Sequence, residues 1–146
     1  IYTDPVTGLS TSGSNADLDS AGGFEVSAGV RGSGISIDAE YNLVSGDTVD
    51  PTFSGGVYLD GSTELDKFHL EGGFMLPGNR LELVGGWESL DADNYQDAWS
   101  ATEVGLNYFW NKHKVKVQLV HRMAANRFGV ASDDGDTTIV QWQFVF

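Results

Sequence analysis

The chain alternates strictly between apolar and polar residues over most of its length. In 137–146, for example, Trp142 and Phe144 belong to an apolar set, whereas Gln141 and Gln143 lie between its members. A period of two with aromatic and β-branched residues indicates β-strands. The alternation predicts seven strands, at 24–31, 35–43, 68–76, 80–90, 102–110, 114–124 and 137–146.

Short and long connections alternate between these strands. The short ones have the residue types of ordinary hairpin turns and lie at 32–34, 77–79 and 111–113. The long ones lie at 44–67, 91–101 and 125–136. Within the first long connection, 53–60 is expected to form a small hairpin beyond the main sheet. Residues 1–22, rich in serine, glycine and aspartate, are predicted to be loop.

One face of the predicted strands carries no charged residue. Six of the seven glutamates lie in the strands on the other face, and thirteen of the fourteen aspartates lie outside the strands, with Asp38 as the exception. An uncharged face suits either a protein core or lipid. Aromatic residues gather on it at the strand ends, with Tyr108 and Phe144 at one end and Tyr41 and Trp87 towards the other, as in the interfacial girdles of membrane barrels. This clustering at the strand ends favours a face that contacts lipid over one that packs in a protein core.

The predicted fold class is therefore an all-β, antiparallel transmembrane β-barrel. Outer-membrane barrels have short periplasmic turns and longer extracellular loops. Here basic residues, among them Arg31 and Arg80, adjoin the short turns, and the long connections are acidic. We expect the short turns to face the periplasm and the chain to lie in a bacterial outer membrane.

Composition narrows the function classes further. The 146 residues include 21 acidic and 8 basic ones, for a net charge of -13. Nucleic acid is excluded as a partner, because phosphate backbones bind basic patches. Without cysteine the chain has no disulfide or zinc–thiolate site, and no apolar run approaches the roughly 18–20 residues of a membrane helix.

The stretch from Ile35 to the C-terminus resembles the C-terminal part of the phosphate-selective porin O and P family of Gram-negative outer membranes. The segments that carry the resemblance are 35–41, 68–76, 80–91, 104–111, 114–119 and 141–146. Most specific are the order and spacing of Gly-Leu-Asn-Tyr at 105–108 and Lys-Val-Gln-Leu at 116–119 before a terminal Phe146.

The resemblance implies a sixteen-stranded porin, usually a homotrimer. Residues 1–146 would then be the C-terminal part of one barrel, with 1–22 as an extracellular loop segment and 23–146 as its last seven strands. The odd strand count agrees, because bacterial single-chain barrels have even numbers. Implied partners are outer-membrane lipid, lipopolysaccharide and the barrel-assembly machinery, which would read the strand ending at Phe146. Where Gly86 stands, the family usually carries an inward basic residue.

The expected function is passive diffusion of ions or small polar solutes through a water-filled channel, filtered by the charges on its wall. The predicted pore-lining residues are Asp38, Glu40, His69, Glu71, Glu82, Glu88, Glu103, Asn107, Lys116, Gln118 and Arg122. Glu103 is expected to form a cross-strand ion pair with Lys114 or Lys116. Acidic residues outnumber basic ones on this face, which argues against phosphate selectivity in this part of the chain.

No residue pattern indicates an enzyme, a cofactor or a metal site. Glu82 and Glu88 are six residues apart on one strand, hence about 20 Å apart and too distant for a glycosidase. The histidines lack metal-ligand spacing. The acidic segments 91–97 and 133–136 lack the glycine and distal glutamate of an EF-hand, so solvated loops are expected, with weak divalent-ion binding as the alternative.

Two other architectures remain open. A complete eight-stranded barrel, with 53–60 as a further membrane strand, would act as an anchor or surface-interaction protein. With this eighth strand, short and long connections would no longer alternate along the chain. A soluble β-sandwich would bind carbohydrate or a partner protein.

Overall fold

The computed structural model describes residues 2–3, 10–11, 17–110 and 115–144. Its described residues form strands and connections, with one short 3-10 turn at Arg127–Gly129 and no α-helix. The nine strands are β1 (Tyr2–Thr3), β2 (Ser10–Thr11), β3 (Leu18–Gly32), β4 (Ile35–Thr48), β5 (Ser62–Met75), β6 (Leu81–Ala92), β7 (Trp99–Phe109), β8 (Val115–Ala125) and β9 (Gly135–Phe144).

Seven of these strands form one sheet in the order β3-β4-β5-β6-β7-β8-β9, and β1 pairs with β2 in a separate two-stranded sheet. Every neighbouring pair in the large sheet is antiparallel. The prediction of an all-β fold with seven antiparallel strands is confirmed.

The strands extend further than the alternation predicted, mainly at the ends that adjoin the long connections. The prediction that 1–22 is entirely loop is wrong, because β1 and β2 lie within this segment and β3 begins at Leu18. The ladder continues through residues of low strand propensity, for example Gly22 opposite Ser45 and Gly46 opposite Thr63. Cross-strand pairing supplies backbone hydrogen bonds whatever the side chain, and so overrides a weak local preference.

The seven-stranded sheet is open. Its edge strands β3 and β9 each have one neighbour in the described part of the chain. Because consecutive strands alternate in direction, β3 and β9, the first and seventh, run the same way. They cannot pair antiparallel with each other, so antiparallel closure of this sheet requires an odd number of additional strands.

Turn chemistry accounts for the tight connection between β3 and β4. Ser33 and Gly34 both have positive φ, 52° and 79°. Two central residues with positive φ form a type I′ turn, whose twist matches that of the flanking strands. The predicted turn at 111–113 lies outside the described residues.

The connection between β4 and β5 folds back on itself without adding a strand. Two isolated bridges, Gly55 with Tyr58 and Leu59 with Ser62, give it a small hairpin-like form. The predicted hairpin is present in this limited sense. The eight-stranded alternative is not supported, because 53–60 contributes no strand to the sheet.

The connections on this side also pack on one another. Tyr95 of the β6–β7 connection covers Gly129 of the β8–β9 connection, where an added Cβ would lie 2.0 Å from the ring. The Gln96 backbone N–H donates to the Gly129 carbonyl at 2.8 Å. These contacts join the two long loops in one layer at this end of the sheet.

The described residues have almost no apolar core. Among them the buried hydrophobic residues are Ala92, Ala101 and Phe109. No helix within this part of the chain is long and apolar enough to cross a membrane. The described residues also provide no second large sheet to pack against the first, which a two-sheet sandwich needs.

Candidate functional site: the polar face of the sheet

All eleven predicted pore-lining residues lie on one face of the seven-stranded sheet, which we call the polar face. Directly opposed residues of an antiparallel pair share a face, and the register aligns the predicted residues in rows across the strands. These rows are Glu40–His69–Glu88, Asp38–Glu71–Gly86–Glu103–Arg122, Glu82–Asn107–Gln118, and Lys116 opposite Phe109.

A cleft of about 380 Å³ runs along the polar face and is lined by residues from β3 to β8. A single cleft across six strands, which would span about 24 Å if flat, requires the sheet to curve around this face. Eight predicted residues line the cleft: Asp38, His69, Glu71, Glu82, Glu88, Glu103, Asn107 and Gln118. Glu40 lies in an adjoining groove of about 540 Å³ towards β3, and Lys116 and Arg122 line neither cavity.

Arg122 connects three strands of the polar face. Its guanidinium bonds Glu88 on β6 through Nη2 and lies 3.0 Å through Nη1 from Glu103 Oε1 on β7. Its Cζ lies 5.4 Å from the centroid of the Trp99 ring, within the range of a cation–π contact. One cation therefore offsets two carboxylates at the loop end of the cleft.

The predicted ion pair between Glu103 and Lys116 is wrong. The β7–β8 register places Glu103 opposite Arg122, whereas Lys116 lies opposite Phe109 at the other end of the strand. Lys114 lies outside the described residues. Sequence alternation assigns a residue to a face, but the register that selects its partner is set by the turn.

His69 lies between two carboxylates. Its Nε2 is 3.6 Å from Glu71 Oε2, and its Nδ1 is 3.9 Å from Glu88 Oε2. Nδ1 is buried and has no hydrogen-bond partner among the described residues. His69 thus lies between carboxylates of β5 and β6 on the polar face.

Glu82 and Asn107 form a second cluster near the short-turn end. They are cross-strand partners on β6 and β7, and Asn107 Nδ2 donates to Glu82 Oε2 at 2.8 Å. The other carboxylate oxygen, Oε1, lies above Gly73, where an added Cβ would be 2.9 Å from it. Glycine at 73 therefore leaves the space that the carboxylate occupies.

The sequence prediction missed several polar-face residues, among them Trp99 and Lys67. Trp99 and Lys67 belong to strands β7 and β5, but both had been assigned to long connections. Extending the alternation backwards from Glu103 and from His69 by steps of two would have found them. With them, the described polar face holds more acidic than basic residues: Glu25, Asp38, Glu40, Glu71, Glu82, Glu88 and Glu103 against Arg31, Lys67, Lys116 and Arg122.

The opposite face, which we call the apolar face, is exposed. Leu70 and Trp87 are cross-strand partners there with 40% and 43% exposure, and Trp142 on edge strand β9 reaches 63%. His121 also lies on it, with Nδ1 2.9 Å from the hydroxyl of its partner Thr138. Apolar side chains are thus exposed on this face, whereas Glu88 and Arg122 on the polar face have side-chain exposures of 16% and 30%.

Charged residues do occur on the apolar face, but only where strands run on towards the long connections. The expectation of a wholly uncharged face is therefore wrong for these strand ends. The register places there Asp47, Glu64, Asp66, Asp91 and Asp136. Fourteen-residue strands such as β4 and β5 are about 46 Å long, which exceeds the roughly 25 Å apolar band of a membrane barrel. An uncharged band remains between these acids and the short turns.

In the parts of the chain that the structure describes, no three histidine or carboxylate side chains converge as metal ligands would. In the acidic segment 133–136, Asp133 pairs with Arg127 at 2.6 Å and Asp134 accepts the Asn126 backbone N–H at 3.1 Å. The carboxylates of Asp133 and Asp134 are therefore bonded to other residues of the same connection.

Comparison with protein-family models, curated proteins and solved structures found no match to this chain. The resemblance to the porin family therefore stays a prediction.

Proposed function

We propose that this chain is part of an outer-membrane porin that forms a water-filled channel for passive diffusion of ions or small polar solutes. One observation carries the proposal: the charged residues lie on the face that lines the cleft, and the opposite face exposes apolar side chains. In a transmembrane barrel the outer face meets lipid and the inner face meets water.

The apolar face supports contact with lipid. Its uncharged band agrees with the cost of about 2–4 kcal/mol for a lysine or arginine facing lipid at the bilayer midplane. The acids at the strand ends, such as Asp66 and Asp91, would lie beyond the hydrocarbon on the side of the long connections. That side would be extracellular, next to lipopolysaccharide.

The open edges support a larger barrel. Further strands would pair with β3 and β9, and the family resemblance suggests sixteen in total and a homotrimer. The barrel-assembly machinery would recognise the last strand and its Phe146, which lies outside the described residues. The channel would filter solutes by charge without performing a chemical reaction.

Planar-bilayer recording tests the proposal. The full-length protein, extracted in detergent and added to a lipid bilayer, should give discrete conductance steps that increase with salt concentration, as expected of a water-filled pore. Detergent buffer without protein is the control. A protein that is monodisperse without detergent and gives no conductance would contradict the proposal and favour a soluble binding module.

A further inference from the structure

Asn107 carries a buried polar atom that has no partner among the described residues. The residue is 6% exposed, lines the cleft, and its Oδ1 makes no hydrogen bond there. The amide orientation follows from chemistry, because a carboxylate only accepts hydrogen bonds and Glu82 must face the Nδ2 donor. Oδ1 is therefore an acceptor without a partner in a residue that lines the cleft, and a donor from the cleft reaches it only when a neighbouring side chain moves aside.

A buried acceptor without a donor is unfavourable, and such an atom requires a physical explanation. The surroundings restrict what could satisfy it. Glu82 holds a negative charge beside the amide, with Oε1 above Gly73. The cross-strand neighbour on the other side, Gln118, is uncharged. A ligand here meets the amide oxygen of Asn107, the carboxylate of Glu82 and the uncharged amide of Gln118.

This combination selects a positively charged hydrogen-bond donor. An anion would be repelled by the Glu82 carboxylate. A tightly bound divalent metal needs more ligands than these, and no group of three converges in the described residues. An ammonium or guanidinium group supplies several N–H donors and a compensating charge, and such charge-assisted hydrogen bonds are the stronger ones.

We propose that Glu82 and Asn107 form a binding subsite for the protonated amine or guanidinium group of a permeating organic solute. The inference rests on the proposed channel function. The acids further along the cleft, Glu71 and Glu103, would hold the cation in the same field before it reaches the subsite. The subsite lies near the short-turn end, at the row that includes Met75.

Arginine block of the potassium current tests the subsite. L-arginine added to the full-length protein in a bilayer should reduce the single-channel KCl current, and L-citrulline, whose side chain is uncharged, should not. Glu82→Gln should raise the half-blocking arginine concentration about tenfold, the equivalent of one hydrogen bond to a charged group. Asn107→Leu should raise it severalfold. The control Glu25→Gln removes the same charge from the polar face at the loop end and should change it less than twofold.

The outcomes separate the two proposals. Absence of any conductance in the unaltered protein would overturn the channel function. Conductance without arginine block, or equal block in Glu82→Gln and the unaltered protein, would overturn the subsite alone. Asn107→Asp offers a second route if Asn107→Leu fails to fold. It adds negative charge at the same position and should strengthen the block.

Discussion

Arg122 and Glu103 are direct cross-strand partners on β8 and β7, with Nη1 and Oε1 3.0 Å apart. The same guanidinium also contacts Glu88, whose side chain is only 16% exposed. A single residue therefore sets both the charge and the integrity of the polar face at its loop end.

Replacing Arg122 by glutamine should make the channel more cation-selective and the protein less stable. The change removes one positive charge from the polar face and leaves the largely buried Glu88 carboxylate without the guanidinium. We expect a loss of about 1–3 kcal/mol in the free energy of unfolding, less than for a fully buried pair because solvent reaches all three side chains. Reversal potentials in a KCl gradient and urea unfolding measure the two effects. Arg122→Lys should retain the selectivity, since it keeps the charge; equal selectivity in all three proteins would refute the assignment.

A lysine at Gly86 should shift selectivity towards anions. Gly86 lies opposite both Glu71 and Glu103, and an added Cβ would have no contact closer than 3.5 Å. The ammonium would therefore enter the cleft between two carboxylates and weaken their attraction for cations. Reversal potentials for Gly86→Lys and the uncharged control Gly86→Gln measure the shift. If both variants behave alike, position 86 does not face the channel.

Gly129→Ala should loosen the layer formed by the long connections. Gly129 has φ +74°, and its Cβ would overlap the Tyr95 ring. The left-handed conformation alone costs a non-glycine residue about 1–2 kcal/mol. We expect that loss in urea unfolding and faster proteolysis at the connections. Gly32→Ala is the matched control, because an added Cβ there meets nothing within 4 Å; similar losses in both variants would speak against the loop packing.

The same layer should weaken in alkali. Burial raises the pKa of the Tyr95 hydroxyl above its ordinary value of 10.0, and the nearby Asp91 adds to this. A raised pKa means that folding favours the protonated form, so this stabilisation is complete below pH 10 and is lost as pH rises through the folded-state pKa. Absorbance titrations of the unaltered protein and of Tyr95→Phe should differ by one tyrosine that ionises above pH 10.0. A titration unchanged by the substitution would contradict the burial of Tyr95.

The seven strands of the sheet could be predicted because apolar and polar residues alternate along each of them. Ile37 and Asp38, for instance, identify the two faces of β4 without knowledge of its neighbours. The strand ends were not predictable, because residues such as Gly22 and Gly46 carry no alternation signal and are held in place by pairing with the adjacent strand. Closure of the sheet was predicted but is not observed in the described residues.

The site was predictable as a face but not as a set of contacts. Alternation assigned Glu88, Glu103 and Arg122 to the same side, yet only the register brings the guanidinium to both carboxylates. The lone acceptor of Asn107 likewise depends on its opposition to Glu82 and on the curvature that buries it. These properties arise from three or more strands together, and no local sequence pattern encodes them.

Quenching of tryptophan fluorescence by brominated lipid shows which face of the sheet contacts the bilayer. Of the four tryptophans, Trp87 lies on the exposed apolar face, whereas Trp99 lies on the polar face beside Arg122. Single-tryptophan variants of the full-length protein, each keeping one of these residues, would be reconstituted in vesicles of brominated phosphatidylcholine. We expect strong quenching of Trp87 and weak quenching of Trp99. Equal quenching, stronger quenching of Trp99, or no quenching of either residue would show that the apolar face does not contact lipid as proposed.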